Sequence, residues 1–275
     1  MSTTELTPQE RRFESERIHA SAQVLLLAAI GLAIFGVGKL VGSAAFGMGY
    51  SQVGSTIAFV GTVVVLISLV LHVDHLSFRL GLSAIVLVIL CAIVLGVAQL
   101  LGAFNVGRIN GWLVGAGWVL GGVGLAMVAV HKEGQMKATL TDYASGAPWQ
   151  ARVTVHASFL TLITAAIGLV LYGVGAIGLT NAAGRGPLVL MSVGGVLAAI
   201  GVISHVEHLV PRIGLVAVIA GILSPLFWAA STIPNAIDPS NSANGSVTRL
   251  CLGIGALLGA LACALAFAKK LSTDR

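Results

Sequence analysis

The residues in this chain with the widest chemical repertoire are its seven histidines. His72 and His75 are three residues apart, and so are His205 and His208. On a helix that spacing puts both rings of a pair on one face. His19 and His156 open the apolar segments that precede the two pairs. Each half of the chain can thus gather three imidazoles, and two halves facing each other could offer six. Imidazole is a common ligand for iron, copper and zinc, and in its neutral form it survives near a membrane better than a carboxylate. The expected chemistry is cofactor binding by His19, His72, His75, His156, His205 and His208, with iron as the metal. Haem b needs two axial histidines from different helices, and His19–His72 or His72–His205 could supply them. A Rieske-type [2Fe–2S] cluster needs two histidines and two cysteines. Cys91, Cys251 and Cys263 fit that badly, because Cys91 aligns with Ser224 and no thiol repeats. Zinc or another divalent metal stays open, as does interfacial anchoring and helix capping without a cofactor.

Asp74 and Glu207 stand between the paired histidines at equivalent positions. Each points about 100 degrees away from its neighbours on a helix, so neither is a good co-ligand of the same metal. They can accept a hydrogen bond from the second nitrogen of a ligating histidine, or pair with Arg79 and Arg212. The two arginines are expected to meet a propionate, a lipid phosphate or a partner subunit. His131 has no histidine counterpart, since Lys269 occupies the matching place. It reads as interfacial.

The elements that must carry these residues follow from composition. Of the 275 residues, 57% are hydrophobic and 9% charged, and the mean hydropathy is +0.99. A soluble domain carries about 25% charged residues. This composition excludes a soluble enzyme, a disordered chain and a nucleic-acid binder. The net charge of +5 reflects the Lys and Arg excess that orients membrane proteins. Apolar runs of about 20 residues specify helices, not barrel strands. The expected fold is an all-α integral membrane protein. Its eight transmembrane helices fall at about 18–41, 53–75, 79–103, 111–131, 153–178, 186–208, 211–233 and 248–269.

An internal duplication is the strongest pattern. IHASAQVLLLAAIGLAIFGVG at 18–38 and VHASFLTLITAAIGLVLYGVG at 155–175 share twelve of 21 positions, including Ser21/Ser158 and Gly31/Gly168. HVDHLSFRLGL at 72–82 aligns with HVEHLVPRIGL at 205–215. More weakly, Gly115, Gly117 and Gly121 align with Gly253, Gly255 and Gly259. Two four-helix repeats, 18–131 and 153–270, are expected. They flank a cytoplasmic linker at 132–152, with an N-terminal segment at 1–17 and a tail at 271–275. Four helices return the chain to its starting side, so the repeats are parallel and related by a pseudo-twofold axis along the membrane normal. The many glycines read as close helix packing.

Eleven Lys and Arg fall on the side of the termini, against Lys39, Arg108, Arg185 and Arg249 opposite. The termini are therefore expected in the cytoplasm and the chain in a bacterial plasma membrane. All seven histidines then sit at cytoplasmic ends of spans. Trp112 and Trp228 should lie near the outer interface, and Trp149 near the inner one.

A chain of this length, with cytoplasmic termini and the HVDH and HVEH blocks gathered under one face, resembles the single-chain membrane anchor of a bacterial succinate dehydrogenase (complex II). The resemblance covers the whole chain, but eight spans depart from the usual five or so. It implies an anchor and electron-transfer subunit that itself performs no catalysis. A peripheral flavoprotein and an iron–sulfur subunit would dock on the cytoplasmic side. Electrons would cross a histidine-held iron centre to menaquinone or ubiquinone in the bilayer. Two other readings compete: a metal or small-molecule transporter, disfavoured by a bilayer interior with almost no polar groups, and a cofactor-free scaffold.

Overall fold

The computed structural model describes residues 20–43, 51–104, 107–144, 157–181, 184–206, 209–241 and 243–273. Every regular element among them is a helix: α1 Ala22–Val41, α2 Ser51–Leu80, α3 Leu82–Ala103, α4 Gly107–Ala144, α5 Phe159–Asn181 and α6 Arg185–Val206. They continue with the short α7 Val210–Ile213, then α8 Leu215–Ala230, α9 Ile233–Ile237 and α10 Asn244–Thr273. Eight segments are long and apolar enough to cross a membrane, borne by α1 to α6, by α8 with α9, and by α10. The chain is a membrane protein. Large apolar side chains point outward along the spans, with Leu82 69% and Leu160 74% exposed. In water such surfaces would aggregate; against lipid they are at home.

Each span packs on its neighbours in sequence, and α10 closes on α1. The result is a ring in chain order. We call the side on which α1 begins the near face. By alternation α2, α4, α6 and α10 end there.

Small residues set the contacts. A methyl group built on Gly31 would lie 2.8 Å from the backbone nitrogen of Val65 and 2.9 Å from the carbonyl of Gly61. Gly61 in turn crowds Phe35 and the Gly31 carbonyl. The α5–α6 crossing uses Gly168 against Gly194 and Ala198, at the aligned positions. Likewise Gly36 of α1 abuts the Gly253 carbonyl of α10, and Gly173 of α5 abuts the Gly115 carbonyl of α4. Such backbone approach is how helices gain dispersion contacts where lipid removes the hydrophobic drive.

Two boundaries differ from expectation. The linker at 132–152 begins as helix, because α4 runs on to Ala144. Lys132, Glu133 and Lys137 are good helix formers, and the run tolerates its one glycine, Gly134. The second span also continues, to Leu80, so that a single residue, Gly81, joins α2 to α3. Gly81 has φ +83, and Gly214, which joins α7 to α8, has φ +88. Side chains adopt that region only with strain. The duplicated Arg–Leu/Ile–Gly–Leu block thus encodes a reversal at a positive-φ glycine.

Candidate functional site

The near face is built from the starts of α1, α3, α5 and α8 and the ends of α2, α4, α6 and α10. Ser21 caps α1, its Oγ accepting from the Val24 amide at 3.2 Å. Ser158 caps α5, accepting from the Thr161 amide at 3.0 Å. These duplicated serines therefore do the same work, satisfying a helix-start donor that lipid could not.

Each His-bearing helix is then fastened to the helix before it. Ser68 of α2 is buried and donates to the Val24 carbonyl at 3.0 Å, one turn ahead of His72. On the other side Thr161 Oγ1 and Ser204 Oγ meet at 3.2 Å, beside His205. His72 and His205 are half-buried at the ends of α2 and α6. In both rings Nδ1 is shielded from solvent. Equivalent positions thus share a shielded ring nitrogen.

The ring order keeps the two histidine-bearing helices from packing on each other. α2 and α6 are not neighbours, and α2 packs instead on α1 and α3, α6 on α5 and α8. Among the described residues no three His, Cys, Asp or Glu converge as a metal group. His19, His156, Glu207 and His208 lie outside the described residues. Asp74, His75 and Arg79 lie on the described backbone of α2, with side chains outside that set. Arg212 is half-buried on α7, at the near face and within a few residues of the α7–α8 reversal. The cysteines are all free. Cys91 is on α3, and Cys251 and Cys263 lie on α10, about 18 Å apart along its axis. The two thiols of α10 are thus too far apart to share a cluster.

His131, exposed at the near face, packs its ring on the α2–α3 reversal. A methyl on Gly81 would lie 3.3 Å from its Cγ. Lys269, its counterpart, donates to the Pro211 carbonyl at 2.8 Å, against the other reversal. Lys132 donates to the Ala157 carbonyl and ties α4 to the start of α5. Beside His131 a cleft of about 590 Å³ opens between α4 and α5, lined by Ser83, Gly122, Met127, Ala166 and Val170 among others.

The far end carries polar groups that sequence reading placed only as topology markers. Lys39 lies inside α1, two residues from its end, and donates to Gln99 Oε1 of α3 at 2.7 Å. Its ammonium also sits 5.1 Å from the Phe35 ring centroid. A lysine and a glutamine near the ends of otherwise apolar runs were the signal for this pair. Trp112 is 47% exposed at the start of α4, as an interfacial aromatic should be. Trp228, half-buried near the end of α8, faces other helices. It stacks on Tyr172 with centroids 4.9 Å apart and touches Trp118 at 5.1 Å, which joins α4, α5 and α8.

The fold and these sites define a polytopic helical membrane protein with imidazoles at one rim. No protein-family model matches the chain, and comparisons with curated proteins and with solved structures find no similar chain.

Proposed function

We propose that the protein is a membrane anchor and electron-transfer subunit, built as two parallel four-helix repeats about a pseudo-twofold axis along the membrane normal. Each repeat holds its own histidine set at the near face. The first would use His72 with His19 and His75, the second His205 with His156 and His208. One observation carries the reading. The two histidine-bearing helices are fastened by matching contacts, with Gly31 and Gly61 in one crossing and Gly168 and Gly194 in the other, and each presents a half-buried imidazole with the same nitrogen shielded.

The separation of α2 from α6 favours ligation within a repeat, by adjacent helices, over a shared six-histidine centre. The scattered thiols favour an all-histidine iron centre, such as haem b, over a cluster with two cysteine ligands. The near face would be cytoplasmic, by the bias in Lys and Arg. A succinate dehydrogenase-like assembly would then dock its iron–sulfur and flavoprotein subunits there and deliver electrons to a bilayer quinone. Asp74, Arg79, Glu207 and Arg212 would orient the ligands or meet the partner.

The test is iron and haem analysis with visible spectra of the complex isolated from its native membrane. His72→Ala and His205→Ala should each remove part of the signal, and the double variant all of it. An intact complex with no iron and no haem refutes the reading. The half-buried Lys39–Gln99 pair is what favours a transporter instead, and substrate flux into sealed vesicles would establish that alternative.

A further inference from the structure

The far face has an unbalanced charge. Its segments contain Lys39, Arg108, Arg185 and Arg249, but of the ten acidic residues in the chain only Asp238. That carboxylate is already engaged. It accepts from the Ser240 amide at 3.1 Å and the Ser240 hydroxyl at 2.6 Å. Arg185 lies within its electrostatic reach and donates to the neighbouring Ile237 carbonyl at 2.7 Å.

Lys39 and Arg249 lie within electrostatic reach of each other elsewhere, where α10 closes on α1. Arg249 donates to the Gly42 carbonyl at 2.5 Å, three residues beyond Lys39. Each cation is therefore held by a neutral oxygen, Gln99 Oε1 or the Gly42 carbonyl. Like charges so placed repel, and a lysine or arginine has more donors than one such acceptor uses. Ser43, fully buried, donates to the Ser246 carbonyl at 3.1 Å, so the backbone around the pair is fixed.

The fold does not need these charges. At the aligned positions of the other repeat stand Ala176, Thr232 and Gly111, and α4 closes on α5 there through Gly173 and Gly115. A cation pair present in one repeat and absent from the other points to a ligand, not to closure of the ring.

We infer that Lys39 and Arg249 form a binding site for a phosphate-type oxyanion at the far end of the α1–α10 closure. Gln99 positions the Lys39 ammonium, and the Gly42 carbonyl positions the guanidinium. The inference does not rest on the electron-transfer reading. The phosphate could belong to an anionic lipid headgroup or to a free anion, since both present the same oxygens to a charge-assisted contact.

The full chain in phosphatidylcholine nanodiscs, with or without phosphatidylglycerol, distinguishes these sources. Native mass spectrometry reads retained lipid, and thermal shift reads added inorganic phosphate. Preferential retention of phosphatidylglycerol assigns a lipid, whereas a phosphate-dependent shift in phosphatidylcholine alone assigns a free anion. In either case Lys39→Met and Arg249→Gln should weaken binding about tenfold or more, the worth of one charge-assisted bond. Arg185→Gln should leave it unchanged. Arg249 is exposed, so its variant will fold even if Lys39→Met does not. No preference for either phosphate source in the wild type, or undiminished binding by the Arg249→Gln protein, would overturn the inference.

Discussion

Consider Gly31→Ala. In α1 the new methyl would lie 2.7 Å from Val65 Cγ2, 2.8 Å from the Val65 nitrogen and 2.9 Å from the Gly61 carbonyl. Comfortable contact begins near about 3.5 Å. Two of the three obstacles are backbone atoms, so no rotamer change relieves them, and α1 and α2 must part. Overpacking of this kind costs about 1–3 kcal/mol. It is offset by the helix preference of Ala over Gly, about 1 kcal/mol. The net expectation is a loss of about 1 kcal/mol, a fall in Tm of about 2–4 °C for a chain of this size. Gly168→Ala, at the aligned crossing of α5 on α6, should behave alike. The two crossings share no partner, so the double variant should show the sum. Gly134, in the extension of α4, has nothing within 4 Å of a new methyl. Gly134→Ala keeps the propensity gain alone and should raise Tm. Thermal unfolding of the purified protein, followed by tryptophan fluorescence, measures all four. If Gly31→Ala proves as stable as Gly134→Ala, the close approach of α1 and α2 is refuted.

Three other perturbations test separate parts of the structure. Gly81→Ala, at φ +83, should destabilise by about 1–2 kcal/mol and displace the His131 ring, and the same change at Gly214 should cost a similar amount in Tm. Gln99→Leu removes the acceptor of the Lys39 ammonium and should lower stability by about 1.5–3 kcal/mol; a Lys39→Met/Gln99→Leu protein should regain most of the lost Tm, and failure to do so would contradict the pairing. The hydrogen bonds from Ser240 hold the Asp238 carboxyl below its ordinary range. A depressed folded value means that the loop is fully stabilised above about pH 3.9 and loosens as pH falls through the lower folded value. Amide exchange at Ser240 should therefore accelerate only in acid, and in Asp238→Asn it should be independent of pH once intrinsic exchange is subtracted.

The eight spans could be read directly from the chain, because a backbone in lipid must satisfy its own hydrogen bonds and only long apolar helices do so. The local marks of the repeated sequence could be read as well. Ser21 and Ser158 recur as N-caps, and Gly81 and Gly214 recur as positive-φ reversals, since these are local devices written within a few residues. The helical run from Lys132 to Ala144 was missed for a related reason. Charge marks the membrane boundary, but it does not end a helix.

What sequence could not supply was which helices touch. Histidines at one face left sets of three or of six equally open, and only the ring shows that α2 and α6, which bear His72 and His205, do not pack on each other. Trp228 had the composition of an interfacial residue, and only the packing of α4, α5 and α8 turns it inward onto Tyr172. Lys39 had the look of a topology marker until α3 brought Gln99 to it. Sequence by itself determined the solvent, the number of crossings and the local caps and turns, because these depend on transfer energies and near neighbours along the chain. The tertiary structure alone decided that the last span closes on the first and brings Arg249 beside Lys39, some 210 residues earlier in the chain. In lipid, where apolar burial favours no helix pair over another, that choice falls to the shapes of small residues, and a glycine shows what it fits only when its partner is in place.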